Sequence, residues 1–375
     1  MDEKKVPRIR FEVEDCDPGS EARAGSLSTR RGRVQTPVFM PVGTTGTVKA
    51  MDPEDLAELG FGLILGNTYH MMVRPGEEVI RLHGGLHSFM GWAGSILTDS
   101  GGYQVFSLAH RRRISEQGVS FCNHIDGDMC MLTPERSISI QETLGADIMM
   151  AFDECPPCGA DRSYLRASME RTSRWAERCL RARSRFGGAL FGIVQGGLEK
   201  DLRLEHLDEL ASLGFEGLAI GGLSVGEEKQ DTEAMVAFLA PRMPADRPRY
   251  LMGVGLPEDI LHGIACGVDM FDCVVPTRNA RNGQLFTWRG PIQIRHAAHR
   301  HSLEPIDARC GCPVCRRFTR AYLRHLYRMD ELLGMRLNTL HNLYFYAELL
   351  REARRAILRG DYAAWSAEVM RGLQG

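Results

Sequence analysis

Short apolar runs alternate with amphipathic stretches of helical period along most of the chain. The runs fall at residues 37–42, 63–66, 95–98, 147–152, 189–194, 217–221, 249–254 and 269–274. Each reads as a buried strand, with helices between. Asp52-Pro-Glu-Asp, Thr133-Pro-Glu-Arg and Leu256-Pro-Glu-Asp look like helix starts, with proline in the first turn and acids at the positive end of the dipole. Gly60, Gly145, Gly214 and Gly267 stand where those helices should stop. Residues 8–36 alternate and carry turn formers, which predicts a strand or hairpin cap ahead of the main rhythm. Two segments break the rhythm. Residues 104–132 contain an expected hairpin over 119–132 that turns at Asp126-Gly-Asp, and residues 276–335 separate the eighth strand from the last helices.

Eight strand–helix alternations predict an α/β fold, a (β/α)8 TIM-type barrel, and the cysteine run at 310–315 makes the later insertion a zinc-binding subdomain. A doubly wound sheet is the rival. The polar residues favour the barrel. Asp99, Asp153, Gln195, Gly222 and Asp272 each lie at or just past the C-terminal end of a predicted strand. A barrel gathers those ends on one face, whereas an open sheet spreads them along an edge. The expected division is a cap and barrel over 1–275, a basic loop and zinc insertion over 276–340, and C-terminal helices completing the barrel over 341–375.

Composition narrows the function. The chain has 375 residues, 43% of them hydrophobic, which is ample for one large core. Its net charge of −2 gives no global basic signature, so any nucleic-acid contact must come from local patches. One such patch is plain. Between Cys273 and Leu303 there is no Asp or Glu, yet Arg278, Arg281, Arg289, Arg295 and Arg300 lie there. Asp272 sits just before it, inside an apolar run, so a carboxylate at a strand lip borders a cationic loop. That arrangement suggests acid chemistry on a polyanion. A capping acid beside a solvated basic face is the plainer alternative. No apolar run reaches membrane-span length, and Met1-Asp-Glu-Lys-Lys lacks a signal-peptide core, so a cytoplasmic location is expected.

Eleven cysteines in such a chain suggest metal binding and reduced thiols rather than a disulfide framework. Cys310-Gly-Cys312-Pro-Val-Cys315 can fill three corners of a tetrahedron, with His341 as the fourth ligand and His296, His299 and His301 as rivals. A closed Cys3His shell would be structural. Cys155-Pro-Pro-Cys158 invites a redox or metal reading, against which stands the stiffness of Pro-Pro. Cys122 and Cys130 read as incidental. Asp99-Ser-Gly-Gly-Tyr103, Gln195-Gly-Gly and Gly221-Gly222-Leu223 put acids, an amide, a flat ring and bare backbone at strand ends. That set suits a purine, whose ring N–H and amine need acceptors and whose carbonyl needs a donor. Paired acids beside a base suggest glycosidic-bond chemistry. Glycine-rich strand ends also suit a phosphorylated small molecule.

Across nearly its whole length the chain resembles the bacterial tRNA-guanine transglycosylase (queuine tRNA-ribosyltransferase) family. The matching runs are Thr36-Pro-Val-Phe-Met-Pro-Val-Gly-Thr, Gly66-Asn-Thr-Tyr-His, Asp99-Ser-Gly-Gly-Tyr-Gln-Val-Phe-Ser-Leu, His124-Ile-Asp-Gly, Asp153-Glu-Cys, Gly192-Ile-Val-Gln-Gly-Gly, Gly221-Gly-Leu-Ser-Val-Gly-Glu, Tyr250-Leu-Met-Gly-Val-Gly, the segment around Asp272, and the cysteine cluster with His341-Asn-Leu. The resemblance implies a zinc-bearing barrel, usually a homodimer with one structural zinc ion per subunit. It implies exchange of guanine at the wobble position of GUN-anticodon tRNAs for 7-aminomethyl-7-deazaguanine. By position, Asp272 is implied as the nucleophile and Asp99 as the acid/base. Asp153, Gln195 and the Gly222 amide are implied as readers of the guanine edge, the Leu223 carbonyl as a neighbour of the aminomethyl group, and Tyr103 and Met252 as the faces sandwiching the ring. Gly253, Val254, Gly255, Leu256, Pro257, Glu258 and Asp259, with Thr277, Arg278, Asn279, Ala280 and Arg281, are implied as tRNA contacts. Cys310, Cys312, Cys315 and His341 are implied as the zinc ligands. Cys155 and Val225 fit the bacterial pattern, which favours the aminomethyl base over the bulkier queuine. Residues 121–132 depart from it, with Cys122, Met129, Cys130 and Met131 where polar or basic residues are more usual. A non-catalytic tRNA-binding subunit of the same fold would be expected to lack one of the two acids, and both are present.

Overall fold

The computed structural model describes residues 8–108, 112–185 and 187–374. The charged Met1–Lys5 start lies outside them. Eight parallel strands close into a barrel in sequence order: Val38–Gly43, Leu63–Gly66, Ser95–Thr98, Ile148–Met150, Ala189–Val194, Gly217–Ile220, Arg249–Leu251 and Met270–Cys273. Each lies within one residue of a run picked out by hydrophobic patterning. The eighth strand closes the ring on the first, pairing Met270 with Val38 and Asp272 with Met40.

Strand alternation sorts the side chains into two layers. Met40, Val42, Leu63, Leu65, Leu97, Ile148, Met150, Phe191, Ile193, Ala219, Tyr250 and Met270 fill the barrel interior. Their sequence neighbours Phe39, Ile64, Ile96, Met149, Leu190, Leu218, Leu251 and Phe271 face outward into the helix layer. The cap is an antiparallel sheet of Arg10–Cys16, Arg23–Thr29 and Gly32–Thr36. Its Leu27 and Val34, with Ile9, plug the N-terminal end of the barrel.

Helix signals act as patterning suggests, with one exception. Asp52 accepts from Glu54 N at 2.9 Å while Asp55 accepts from Asp52 N at 3.1 Å, a reciprocal cap. Thr133 caps Pro134–Leu144, and Gly145 ends that helix at φ +75°. The helix Pro257–Ala265 begins after Leu256, which has no side-chain acceptor to offer.

The expected hairpin over 119–132 is present as Gly118–Cys122 and Met129–Leu132, but a further strand, Arg112–Ser115, joins it. The expected arginine loop after the eighth strand is instead the helix Val275–Arg281. Pro276 supplies a helix-ready φ and lacks only an N–H that no helix start can pair, so it opens this helix instead of merely ending the strand. Beyond it a small apolar cluster of Leu285, Ile294, Ile306, Val314 and Leu323 surrounds the cysteines. The helix Leu332–Arg359 then runs 28 residues, across position 340 where the zinc insertion was expected to give way to the C-terminal helices. No helix among the described residues is long and apolar enough to cross a membrane.

Candidate active site and metal cluster

The eighth strand sets the site. Met270 points into the barrel and Phe271 outward, so Asp272 points inward again, at the C-terminal mouth. One oxygen of its carboxylate, Oδ1, accepts from the Tyr250 hydroxyl at 2.6 Å and from Gly253 N at 2.8 Å. Its Oδ2 has no hydrogen-bond partner among the described residues, and the residue keeps part of its surface open. Burial raises the carboxyl above its ordinary range against those two donors. Tyr250 is fully buried, and burial together with the Asp272 charge lifts its phenol well above the usual value, so it remains a donor.

Asp99 stands at the end of the third strand, close enough for the Asp272 charge to act on it. Thr68 N donates to its Oδ1 at 2.8 Å and the Asn67 amide to its Oδ2. Burial nevertheless pushes its carboxyl up to about 6, with Asp272 adding to the shift. Asp153, past the fourth strand, accepts from Gln195 Nε2 at 2.8 Å and Ser100 Oγ at 3.0 Å. Burial pushes it to about 6 as well. A fold built only for stability would give such buried acids a cation. These have none among the described residues, which suits groups whose proton moves.

The remaining predicted residues complete the mouth. Gln195 Oε1 is buried without a partner. Gly222 has φ +61°, and a Cβ there would lie 2.3 Å from that oxygen, so only glycine lets the Gln195 amide sit where it does. Leu223 is buried, while Ser224 N and Val225 N donate to Glu227. A peptide carbonyl opposes its own N–H, so Leu223 O points away from Glu227. Tyr103 is 48% exposed, with its ring stacked beside Phe106 at a centroid distance of 6.4 Å, and Met252 is partly buried. The Cys155 thiol is pushed by burial to about 12, which keeps it protonated and inert at neutral pH. Neither it nor Cys158 is in a disulfide.

Two segments flank Asp272. Gly253 belongs to the hydrogen bonding of the acid itself. Val254 and Ala280 are buried, and Glu258 and Asp259 lie 3.7 and 2.6 Å from Lys229 Nζ. Leu256 is exposed, and Pro257 opens its helix. Across the mouth a cavity of about 160 Å³ is lined by Val42, Thr44, Lys49, Val274, Thr277, Arg278 and Arg281, three cations and no acid. Asn279 is tied to Gln284 at 2.6 Å and Arg281 to Thr277 O at 2.8 Å. A larger cavity of about 300 Å³, near Pro37, Phe61 and Leu350, contains none of the predicted site residues.

The sequence did not single out Tyr250, Asn67, Thr68, Ser100 or Lys49 for roles at the mouth. Tyr250 carried a faint signal. It is the polar residue two places before Met252, on the inward side of the strand Arg249–Leu251.

In the cysteine cluster the ligand atoms of Cys310, Cys312, Cys315 and His341 all lie within 4.8 Å of one another, and none of the rival histidines joins them. His341 Nδ1 is 3.8, 3.5 and 3.4 Å from the three sulfurs. Metal–ligand bonds of zinc length at tetrahedral angles separate sulfur and nitrogen by about 3.6 Å. His341 Nε2 lies 2.8 Å from Phe286 O, so it carries the proton and leaves Nδ1 for a metal. The donor set fits a closed, four-coordinate ion site.

A family model described as queuine tRNA-ribosyltransferase matches residues 16–375. Relatives bearing the name "Queuine tRNA-ribosyltransferase" include one from Solidesulfovibrio magneticus, 55% identical over 94% of this chain and 95% of its own. One from Thioalkalivibrio sulfidiphilus is 56% identical over 96% of each. One from Azotobacter vinelandii is 55% identical over 95% of this chain and 96% of its own. With a closed barrel and acids gathered at its mouth, this chain belongs to the queuine tRNA-ribosyltransferase family, whose members are transferases.

Proposed function

We propose that the chain is a tRNA-guanine transglycosylase of queuosine synthesis. It exchanges guanine at the wobble position of GUN-anticodon tRNAs (those for Asp, Asn, His and Tyr) for 7-aminomethyl-7-deazaguanine. The observation that carries the reading is Asp272: one oxygen anchored, the other unpartnered at an open mouth. Its Oδ2 attacks C1′ of the ribose as the C1′–N9 bond to guanine breaks, giving a ribosyl–aspartate intermediate. Asp99, titrating near neutrality, hands a proton to the departing base. It then takes one from the incoming base, whose N9 attacks C1′ and frees Asp272. Two displacements at one carbon need no external energy source.

Asp153 accepts from the ring N–H and amine of the base. Gln195 and the Gly222 N–H supply donors, and the Leu223 carbonyl faces the 7-substituent. Tyr103 and Met252 cover the ring faces. Cys155 and Val225 favour the aminomethyl base. The wobble nucleotide must leave its stack to reach this pocket. Residues 253–259 and 277–281 hold the anticodon loop, and the cavity of Lys49, Arg278 and Arg281 suits a backbone phosphate. Cys310, Cys312, Cys315 and His341 hold one structural Zn²⁺, which fastens the insertion and takes no part in the reaction. The enzyme acts in the cytoplasm as a homodimer. Exposed Leu303, Tyr322, Met329, Leu332 and Leu333 on and beside the metal subdomain provide apolar surface for the partner.

The test is incubation with labelled guanine and an unmodified GUN-anticodon tRNA, followed by counting the RNA. Label is expected in the tRNA and absent when the wobble guanosine is replaced. Folded enzyme that incorporates none would overturn the reading.

A further inference from the structure

One buried charge beside the mouth is unused by the chemistry above. Arg203, on the helix Lys200–Ser212, has no exposed surface and no ion pair among the described residues. Its guanidinium donates to four backbone carbonyls instead. Nη1 reaches Val194 O at 2.7 Å and Gly221 O at 2.8 Å, Nε reaches Gly197 O at 2.9 Å, and Nη2 reaches Gly222 O at 3.4 Å. One planar fork thus ties the ends of the fifth and sixth strands. Burial lowers its pKa only to about 10, so it stays charged.

A cation buried among neutral partners is costly, and packing alone would be better served by a carboxylate, as where Arg23 meets Asp269. What the fork fixes is a Gly-Gly peptide, the kind that rotates most freely in a chain of L-residues. The carbonyl and N–H of a trans peptide point in opposite directions. Nη1 draws Gly221 O toward the helix layer, so the Gly222 N–H turns toward the barrel axis. That N–H has no partner among the described residues.

We propose that Arg203 is a positioning residue for base recognition: it locks the Gly221–Gly222 peptide so that the Gly222 N–H, and not the Gly221 carbonyl, meets the carbonyl of the bound base. This rests on the purine reading of the mouth. A flipped peptide would set one carbonyl against another, turning an attraction into a repulsion.

The test compares the wild-type chain with Arg203→Gln and Arg203→Lys, using guanine and 6-thioguanine. The thio base keeps the ring N–H and amine but offers a poorer acceptor. Wild type should prefer guanine. In Arg203→Gln, guanine affinity should fall about tenfold and 6-thioguanine affinity much less, so the preference narrows. The KM for the base should rise with kcat nearly unchanged, and tRNA affinity should hold. Arg203→Lys keeps the buried charge without the fork and should narrow the preference less. A purely structural role would weaken both bases alike. Folded variants that keep the wild-type preference overturn the inference alone, whereas a wild type that binds neither base overturns the purine reading with it. Should the variants not fold, a wild-type guanine complex decides: the Gly221 carbonyl facing the base overturns the proposal, and the Gly222 N–H on the base carbonyl supports it.

Discussion

The fourth and eighth barrel strands each carry an aspartate at both ends, and the two ends treat them differently. At the N-terminal end Asp269 receives Arg23 through Nε at 2.9 Å and Nη2 at 2.6 Å, plus Arg249 N at 2.7 Å. Asp147 receives Arg30 at 2.7 Å, His87 at 3.1 Å and Ile96 N at 2.9 Å. For Asp147 burial pushes upward, but these donors outweigh it and hold the carboxyl below its ordinary value, whereas for the fully buried Asp269 burial prevails and the carboxyl is raised even with Arg23 beside it. Both arginines come from the cap sheet and the turn after its second strand, so the cap is also the counter-charge of the barrel floor. At the C-terminal end Asp272 and Asp153 meet only neutral donors among the described residues, and both are raised. The same residue type on the same strand is therefore paired with a cation at one end and left with neutral donors at the other, where the proposed mechanism uses it.

Removing the acid at either end should separate the two roles. Asp272→Asn should lower base exchange by about 10⁴-fold or more, some 5 kcal/mol of barrier, with the melting temperature unchanged or raised. Label incorporation into tRNA and a denaturing gel for the covalent protein–RNA species would read it. Turnover within a hundredfold of wild type would remove Asp272 from the nucleophile role. Asp269→Ala should do the reverse. Stranding Arg23 without its partner should cost about 3–5 kcal/mol in urea unfolding, while the folded fraction still exchanges base. A variant as stable as wild type would break the comparison at its floor.

Smaller effects sharpen it. Cys312→Ser should lose the metal and lower stability, and full occupancy by metal analysis would count against the four-ligand assignment. Asp99 titrates near 6 in the fold against an ordinary carboxyl value near 4, so the fold binds its proton more tightly than the unfolded chain does. Its contribution to stability is full below about pH 4 and is lost as pH rises through about 6. Asp99→Asn should therefore be the more stable protein at pH 8, by about 1–2 kcal/mol, with no gain at pH 4. Equal unfolding midpoints at both pH values would contradict that sign. On the proposed reading Asp153, also near 6, must be ionised to accept from the base. Base affinity should therefore weaken several-fold as pH falls from 7 to 5, and a flat profile would argue for another acceptor.

The patterning of Met40, Val42, Leu63, Leu65, Phe191 and Ile193 against their outward neighbours made the barrel legible, because alternation is a local property. The acids at strand ends were legible for the same reason. What fixes the state of those acids was not. Arg23 lies 246 positions from Asp269 and Arg30 lies 117 from Asp147, so nothing local marks either pair. The helix at Val275–Arg281 was misread because proline both ends strands and begins helices. The strand Arg112–Ser115 was missed because its residues alternate too weakly to stand out beside a hairpin that did.

The long helix Leu332–Arg359 touches most of these parts in turn. His341 enters the cysteine cluster, Asn342 donates to Pro276 O at 2.9 Å, Tyr346 to Gly255 O, and Arg354 to Gly25 O and Thr36 O at 2.8 and 2.7 Å. From His341 to Arg354 is a rigid rod about 20 Å long. It works like an axle on which the metal cluster, the two segments flanking Asp272 and the cap sheet are mounted at fixed angles. A disturbance at one end is therefore felt at the other as a rotation. Stripping a metal held there should misalign the two segments flanking Asp272 without altering a single group proposed to handle the base.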